Sequence, residues 1–157
     1  MHLAELNIAV PRYPLDDPRM ADFMDNLERI NGLGAQMPGF VWIHKDDTGH
    51  AMYQPTPFSF ERGPDAAANL TVWETPEALE HFVWNTVHKR FYNRKHEWFE
   101  AMSSHHFVMW WVEEGHRPTL HEAKARLDHL EAHGDSDHAF GWSHLPHVKL
   151  WQEQRCG

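Results

Sequence analysis

The chain has 157 residues and a mass of 18.5 kDa, the size of one domain rather than two. Its 41% apolar and 24% charged residues are a globular composition, and 23 acidic against 14 basic residues leave a net charge of −9 that repels a phosphate backbone, so nucleic acid is not expected as a partner. The longest near-continuous apolar run, Phe107 to Val112, is far short of the roughly 20 residues of a membrane helix. The start His2-Leu3-Ala4-Glu5 also lacks the basic-then-apolar pattern of a leader. A cytoplasmic protein without a membrane partner is expected.

His2 to Val10 reads as a first strand, because Leu6, Ile8 and Val10 alternate with Glu5, Asn7 and Ala9. Asp17-Pro18 opens a helix with an acidic cap and a proline in its first turn. Met20, Phe23, Met24, Leu27 and Ile30 follow at helical spacing, with an end expected near Gly32 or Gly34. Phe40 to Ile43 is a short second strand, and a proline-rich connection around Gln54 to Pro64 is long enough to shape a pocket. Ala68 to Trp73 is the third strand. Thr75-Pro76-Glu77 then caps the longest helix, expected to run to about Met102.

Phe107 to Val112 is the fourth strand, and both its faces are apolar: Phe107, Met109 and Trp111 on one, Val108, Trp110 and Val112 on the other. Such a strand is covered twice. Two long helices cover one face of a sheet, so the sheet of a second copy is the natural cover for the other, which predicts a homodimer. Thr119-Leu120-His121-Glu122 is a capping box for a last helix, with Gly134 just past its end. Residues 1–134 then form the domain with its C-terminal capping helix, and 135–157 a C-terminal extension. The β-α-β-β-α-β order is the ferredoxin-like plan, an α+β fold built on one antiparallel sheet.

The segment Asn69-Leu70-Thr71-Val72-Trp73-Glu74-Thr75-Pro76-Glu77-Ala78-Leu79, followed by His88 in the next helix, resembles the strand-to-helix block of the dimeric α/β-barrel superfamily. That superfamily includes antibiotic-biosynthesis and heme-degrading monooxygenases. The spread from Leu3 to Ala9, through Tyr13 to Met20, to Glu97-Trp98-Phe99, Trp110-Trp111-Val112 and Pro118-Thr119-Leu120 resembles an uncharacterised family within it, over roughly residues 2 to 133. The resemblance implies a homodimer with facing sheets and a ligand pocket between each sheet and its own helices.

Asn7 stands where several members of that superfamily carry an asparagine that orients substrate or oxygen, and its amide can fix a carbonyl or a developing oxyanion. A backbone or solvent partner is its plainer use. His88 edges the apolar stripe of Leu79, Val83, Val87, Phe91 and Trp98, one turn from Trp84 and from Tyr92. It is placed to act as a general base or to ligate heme iron, or simply to sit as a boundary histidine. Trp84 and Tyr92 would shape the wall; Phe91, Trp73 and Trp111 would touch substrate, although tryptophan in a strand is more often core.

The heme-degrader pattern departs in detail. Its helix tryptophan and ligand histidine stand about three turns apart, and that interval from Trp84 reaches Arg94, and from Phe82 reaches Tyr92. The cofactor is therefore left between none and heme through His88. Fifteen histidines make pairs such as His129 and His133 frequent, and without a HExxH pattern no metal site is assigned. The single cysteine, Cys156, excludes an internal disulfide. No phosphate-cradling loop, dinucleotide fingerprint or nucleophile elbow occurs.

These residues point to a small-molecule-binding protein, a monooxygenase-like oxidoreductase acting on an aromatic or polyketide-like metabolite. A non-catalytic heme, metal or metabolite binder and a cofactor-free lyase or isomerase are the alternatives.

Overall fold

In a computed structural model, residues 1–45, 67–85, 93–100 and 105–145 are described. Strands β1 (His2–Ala9), β2 (Phe40–Ile43), β3 (Ala67–Trp73) and β4 (Phe107–Val112) form one sheet in the order β2-β3-β1-β4. Every neighbouring pair is antiparallel. With helices α1 (Ala21–Gln36) and α2 (Pro76–Asn85) between β1 and β2 and between β3 and β4, this is the ferredoxin-like α+β arrangement. Central β1 lies between β3 and β4, with Glu5 opposite Thr71 on one side and opposite Met109 on the other.

Period-2 alternation divides the sheet into two buried faces. Leu3, Trp73 and Met109 pack against Ile30 of α1 and Leu79 and Phe82 of α2. Ala4, Leu6, Ile8, Leu70, Val72, Val108, Trp110 and Val112 face the other way, and the helix α4 (Leu120–His133) lays Leu120, Ala123, Leu127 and Leu130 on them. Each of those eight sheet residues is 5% exposed or less. The double cover expected for β4 is therefore present, but the chain's own last helix provides the second layer. The sheet surface expected to await a second copy is not free. A homodimer built on it would first have to displace α4.

Local signals explain the boundaries. Asp17 accepts from the Arg19 backbone N–H and caps a 3-10 turn, Pro18–Met20, that runs into α1. The helix passes the expected stop at Gly32 and Gly34 and ends at Gln36, because Pro38 holds Met37 extended at ψ 141°. Gly34 serves packing instead: the Phe82 ring lies 3.0 Å from where its Cβ would stand. Thr119 caps α4 by accepting from the Glu122 N–H, and Gly134 closes it at φ +74°.

The second long helix is described over α2 as far as Asn85, residues 86–92 lie outside the described residues, and helix α3 (Lys95–Trp98) stops where Phe99 bridges Pro11 and the Glu100 N–H bonds to the Val10 carbonyl, short of the expected Met102. After α4 the chain crosses the free edge of β4, where Phe140 exchanges both backbone hydrogen bonds with Met109. That contact protects a strand edge otherwise open to pairing. The connection around 54–64 lies outside the described residues. No described helix is long and apolar enough to cross a membrane.

Candidate functional site

Between the sheet and helices α1 and α2, and reaching Lys95 of α3, Glu131 of α4 and Ser143 beyond it, lies a cavity of about 880 Å³, in the range of small-molecule sites. Its floor is the helix-facing side of the two central strands, with Glu5 and Asn7 from β1 and Asn69, Thr71 and Trp73 from β3. Its roof is apolar: Phe23, Leu27, Ile30 and Gly34 of α1, then Leu79, Phe82, Val83 and Trp84 of α2. Asn31 of α1 adds one polar group to that roof.

The floor is a polar island in an oily layer, and its register is fixed by the ladder. Glu5 pairs with Thr71 and Asn7 with Asn69, so side chains two apart on each strand meet on one face. The Thr71 hydroxyl donates to Glu5 Oε2 at 2.6 Å, and Asn7 Nδ2 donates to Glu5 Oε1 at 2.8 Å. Thr71 Oγ1 in turn accepts from Trp73 Nε1 at 3.0 Å. A chain of donors, Trp73 to Thr71 to Glu5, thus ends on one carboxylate oxygen, while Asn7 holds the other.

Glu5 is 4% exposed, and among the described residues no cation pairs with it. Burial in this apolar setting pushes its carboxyl up from 4.5 to about 7, and the bonds from Thr71 and Asn7 only partly oppose that rise. Desolvation dominates, so the proton leaves with difficulty. The result is a carboxyl divided between its two protonation states near neutral pH, the condition a proton-transfer group requires.

The structure brings together three of the seven residues named from sequence. Asn7, Trp73 and Trp84 line the cavity. Trp73 is 1% exposed and stacks on Phe82 with ring centroids 5.5 Å apart. Trp111 is not among the lining residues; its ring packs on Phe140 at 5.8 Å, near the β4 edge. His88, Phe91 and Tyr92 lie outside the described residues. Glu5 was passed over because a charged residue in an alternating strand reads as solvent-facing. The signal that finds it is positional: Leu3, Glu5 and Asn7 share the helix-covered face of a strand central in the sheet.

Three further histidines meet beside α4. His129 stands with its ring 4.6 Å from those of both His133 and His138. Arg126 Nη1 donates to His138 Nδ1 at 2.9 Å. Burial and the neighbouring Arg126 charge lower the His138 pKa, and a guanidinium at the ring nitrogen opposes a second cation. Among the described residues no group of histidine, cysteine or carboxylate side chains could hold a metal ion. Two histidines line the cavity, His105, which engages Glu131 through Nδ1, and His106; His88, the heme ligand expected from sequence, lies outside the described residues.

No curated protein matches the chain by sequence. Among solved structures the fold is similar to that of a conserved protein from Methanosarcina mazei Go1, at 12% identity and a TM-score of 0.50, covering 72% of this chain and 94% of that one. The structural-genomics protein YJCS is similar at 13% identity and a TM-score of 0.46, covering 72% and 100%. A Chloroflexus aurantiacus J-10-fl protein, provisionally named an antibiotic biosynthesis monooxygenase, is similar at 17% identity and a TM-score of 0.47, covering 74% and 98%. At these identities the likeness is one of fold. A family profile matches residues 2–156, and the chain belongs to the family described as Domain of unknown function (DUF3291).

Proposed function

We propose that the protein binds a small, largely apolar molecule between its sheet and helices, and that Glu5 exchanges a proton with it. The carrying observation is a buried carboxyl on the cavity wall, held by Thr71 and Asn7 and titrating near 7. Burying a carboxyl without a cation is costly. A site that serves only packing would be cheaper with leucine.

Above pH 7 the carboxylate of Glu5 can take a proton from a carbon or oxygen acidified by a neighbouring carbonyl. The bond's electron pair stays on the ligand as an enolate or phenolate. Returning the proton to a second position completes an isomerisation, and loss of a leaving group from the anion completes an elimination. Thr71 and Asn7 are positioning residues, since they act through Glu5. The aromatic wall of Trp73, Phe82 and Trp84 suits a flat ring.

The monooxygenase-like reading begins with the same step. An electron-rich anion made by Glu5 would be the species that reacts with dioxygen as co-substrate. His88 is kept, from the sequence, as a second base or a heme ligand, with Tyr92 and Phe91 as its proposed companions; all three lie outside the described residues.

The test uses 2-tetralone, an apolar bicyclic ketone with acidic hydrogens beside its carbonyl, in deuterium oxide. Wild-type protein is expected to speed deuterium uptake next to the carbonyl, with a rate that rises through about pH 7, and Glu5→Gln to lose that acceleration. Uptake at the buffer rate, or uptake unchanged in Glu5→Gln, overturns the proton-transfer reading. Binding without uptake leaves a non-catalytic binder.

A further inference from the structure

Asn31 sits within α1 one residue after the core residue Ile30 and lines the same cavity as Glu5. Its side-chain nitrogen Nδ2 is buried from solvent, yet among the described residues nothing accepts from it. A helical asparagine has a ready local alternative, and this helix shows it: Asn26 Nδ2 donates to the Asp22 carbonyl at 2.8 Å. Asn31 does not use that route. Buried polar groups in native proteins are nearly always satisfied, so an orphan on a cavity wall calls for an acceptor from outside the chain.

We propose that Asn31 is a substrate-binding residue that donates a hydrogen bond to the carbonyl or enolate oxygen of the ligand. Glu5 rises from the sheet and Asn31 hangs from the helix layer, so a flat ligand between them meets a proton acceptor on one side and an oxygen-binding donor on the other. This assigns the substrate class as an enolisable ketone, or the corresponding enol or phenol, within an apolar ring frame. When the C–H proton moves to Glu5, its electron pair forms the C=C bond and the carbonyl π pair moves onto oxygen. The Asn31 N–H then faces more negative charge than it did before, which favours the enolate. Asn7 does not supply that donor, because its amide nitrogen serves Glu5. The proposal rests on Glu5 as the proton acceptor.

Two ligands separate the two roles: 2-tetralone, and tetralin, which has the same frame without the oxygen. In Asn31→Leu, binding of 2-tetralone is expected to weaken by roughly tenfold, the weight of one hydrogen bond, and deuterium uptake to slow at least as much. Tetralin should bind as well as before, or better. The melting temperature should hold or rise, because an unsatisfied buried amide has been replaced by an apolar side chain; a structural asparagine would show a fall. Asn31→Asp, which turns the donor into an acceptor, should weaken the ketone at least as far while sparing tetralin.

The role is overturned if both Asn31 variants bind 2-tetralone as tightly as wild type, or lose ketone and tetralin in equal measure. Should Glu5→Gln abolish uptake while Asn31→Leu leaves binding and uptake intact, Asn31 fails and Glu5 stands. Should wild type bind neither compound, both fail.

Discussion

The Thr71 hydroxyl stands 2.6 Å from Glu5 Oε2, across adjacent central strands and 66 positions away in the chain. It donates there while its own oxygen accepts from Trp73 Nε1. One threonine thus fixes the carboxyl and satisfies the indole of the largest side chain on the cavity floor.

Thr71→Val, nearly the same in shape, removes both functions. It is expected to destabilise the fold by about 1–3 kcal/mol, because the indole N–H and one carboxylate oxygen lose partners in a buried layer. The Glu5 carboxyl should titrate higher than in wild type, since a bond favouring its charged form is gone. Denaturant unfolding and a carboxyl titration of the variant check the two halves separately.

Glu5→Gln should change stability in a pH-dependent way. The folded carboxyl titrates near 7, against 4.5 for an ordinary glutamate. Between these values the native state holds a proton that the unfolded chain has released, so stability falls as pH rises through the interval and the loss is complete above 7. Its full size is about 3 kcal/mol. Glutamine carries no such penalty. The variant should therefore melt well above wild type at pH 8 and close to it at pH 4.5, and a gap independent of pH would refute the buried acid.

Gly39 joins α1 to β2 at φ +88°, and a Cβ there would lie 2.5 Å from the Ala78 Cβ on α2. Gly39→Ala combines a left-handed backbone with a clash against a helix that roofs the cavity. A loss of about 2 kcal/mol or more is expected, read as a lower unfolding midpoint. An alanine tolerated without cost would mean that the turn relaxes.

Leu127 of α4 is fully buried against the sheet. Leu127→Ala should cost about 2–5 kcal/mol, and the unfolding midpoint of wild type should not depend on protein concentration, because this cover lies within one chain. A midpoint that climbs with concentration would instead make the sheet face a subunit interface.

Much of the fold was legible because single periods dominate. Strands with alternating Leu6 and Ile8 or with the Phe107–Val112 run, and caps at Asp17, Thr75 and Thr119, all behave as local chemistry dictates. The cover of the second sheet face was misassigned for a physical reason. The residues of α4 announce an amphipathic helix, but nothing local says against what its apolar side lies, and a second copy and the chain's own helix satisfy the same burial.

The site was harder to see because its value depends on neighbours distant in sequence. Glu5 and Asn31 are ordinary polar residues of a strand and a helix until β1 becomes central and α1 closes over it. Trp73 and Trp84 could be found by size alone, as bulky residues bordering the predicted pocket. Trp111 has the same size, but it sits at the end of β4 opposite Leu3, beyond the cavity floor.

The most direct test is the titration of Glu5 itself, followed by carbon NMR on protein labelled at the glutamate side-chain carboxyl, with the resonance assigned by its loss in Glu5→Gln. A midpoint near 7 is the result expected for a carboxyl desolvated on the floor of an apolar cavity. A midpoint near 4.5 would mean that water reaches it freely, and would contradict its role as the proton-transfer group.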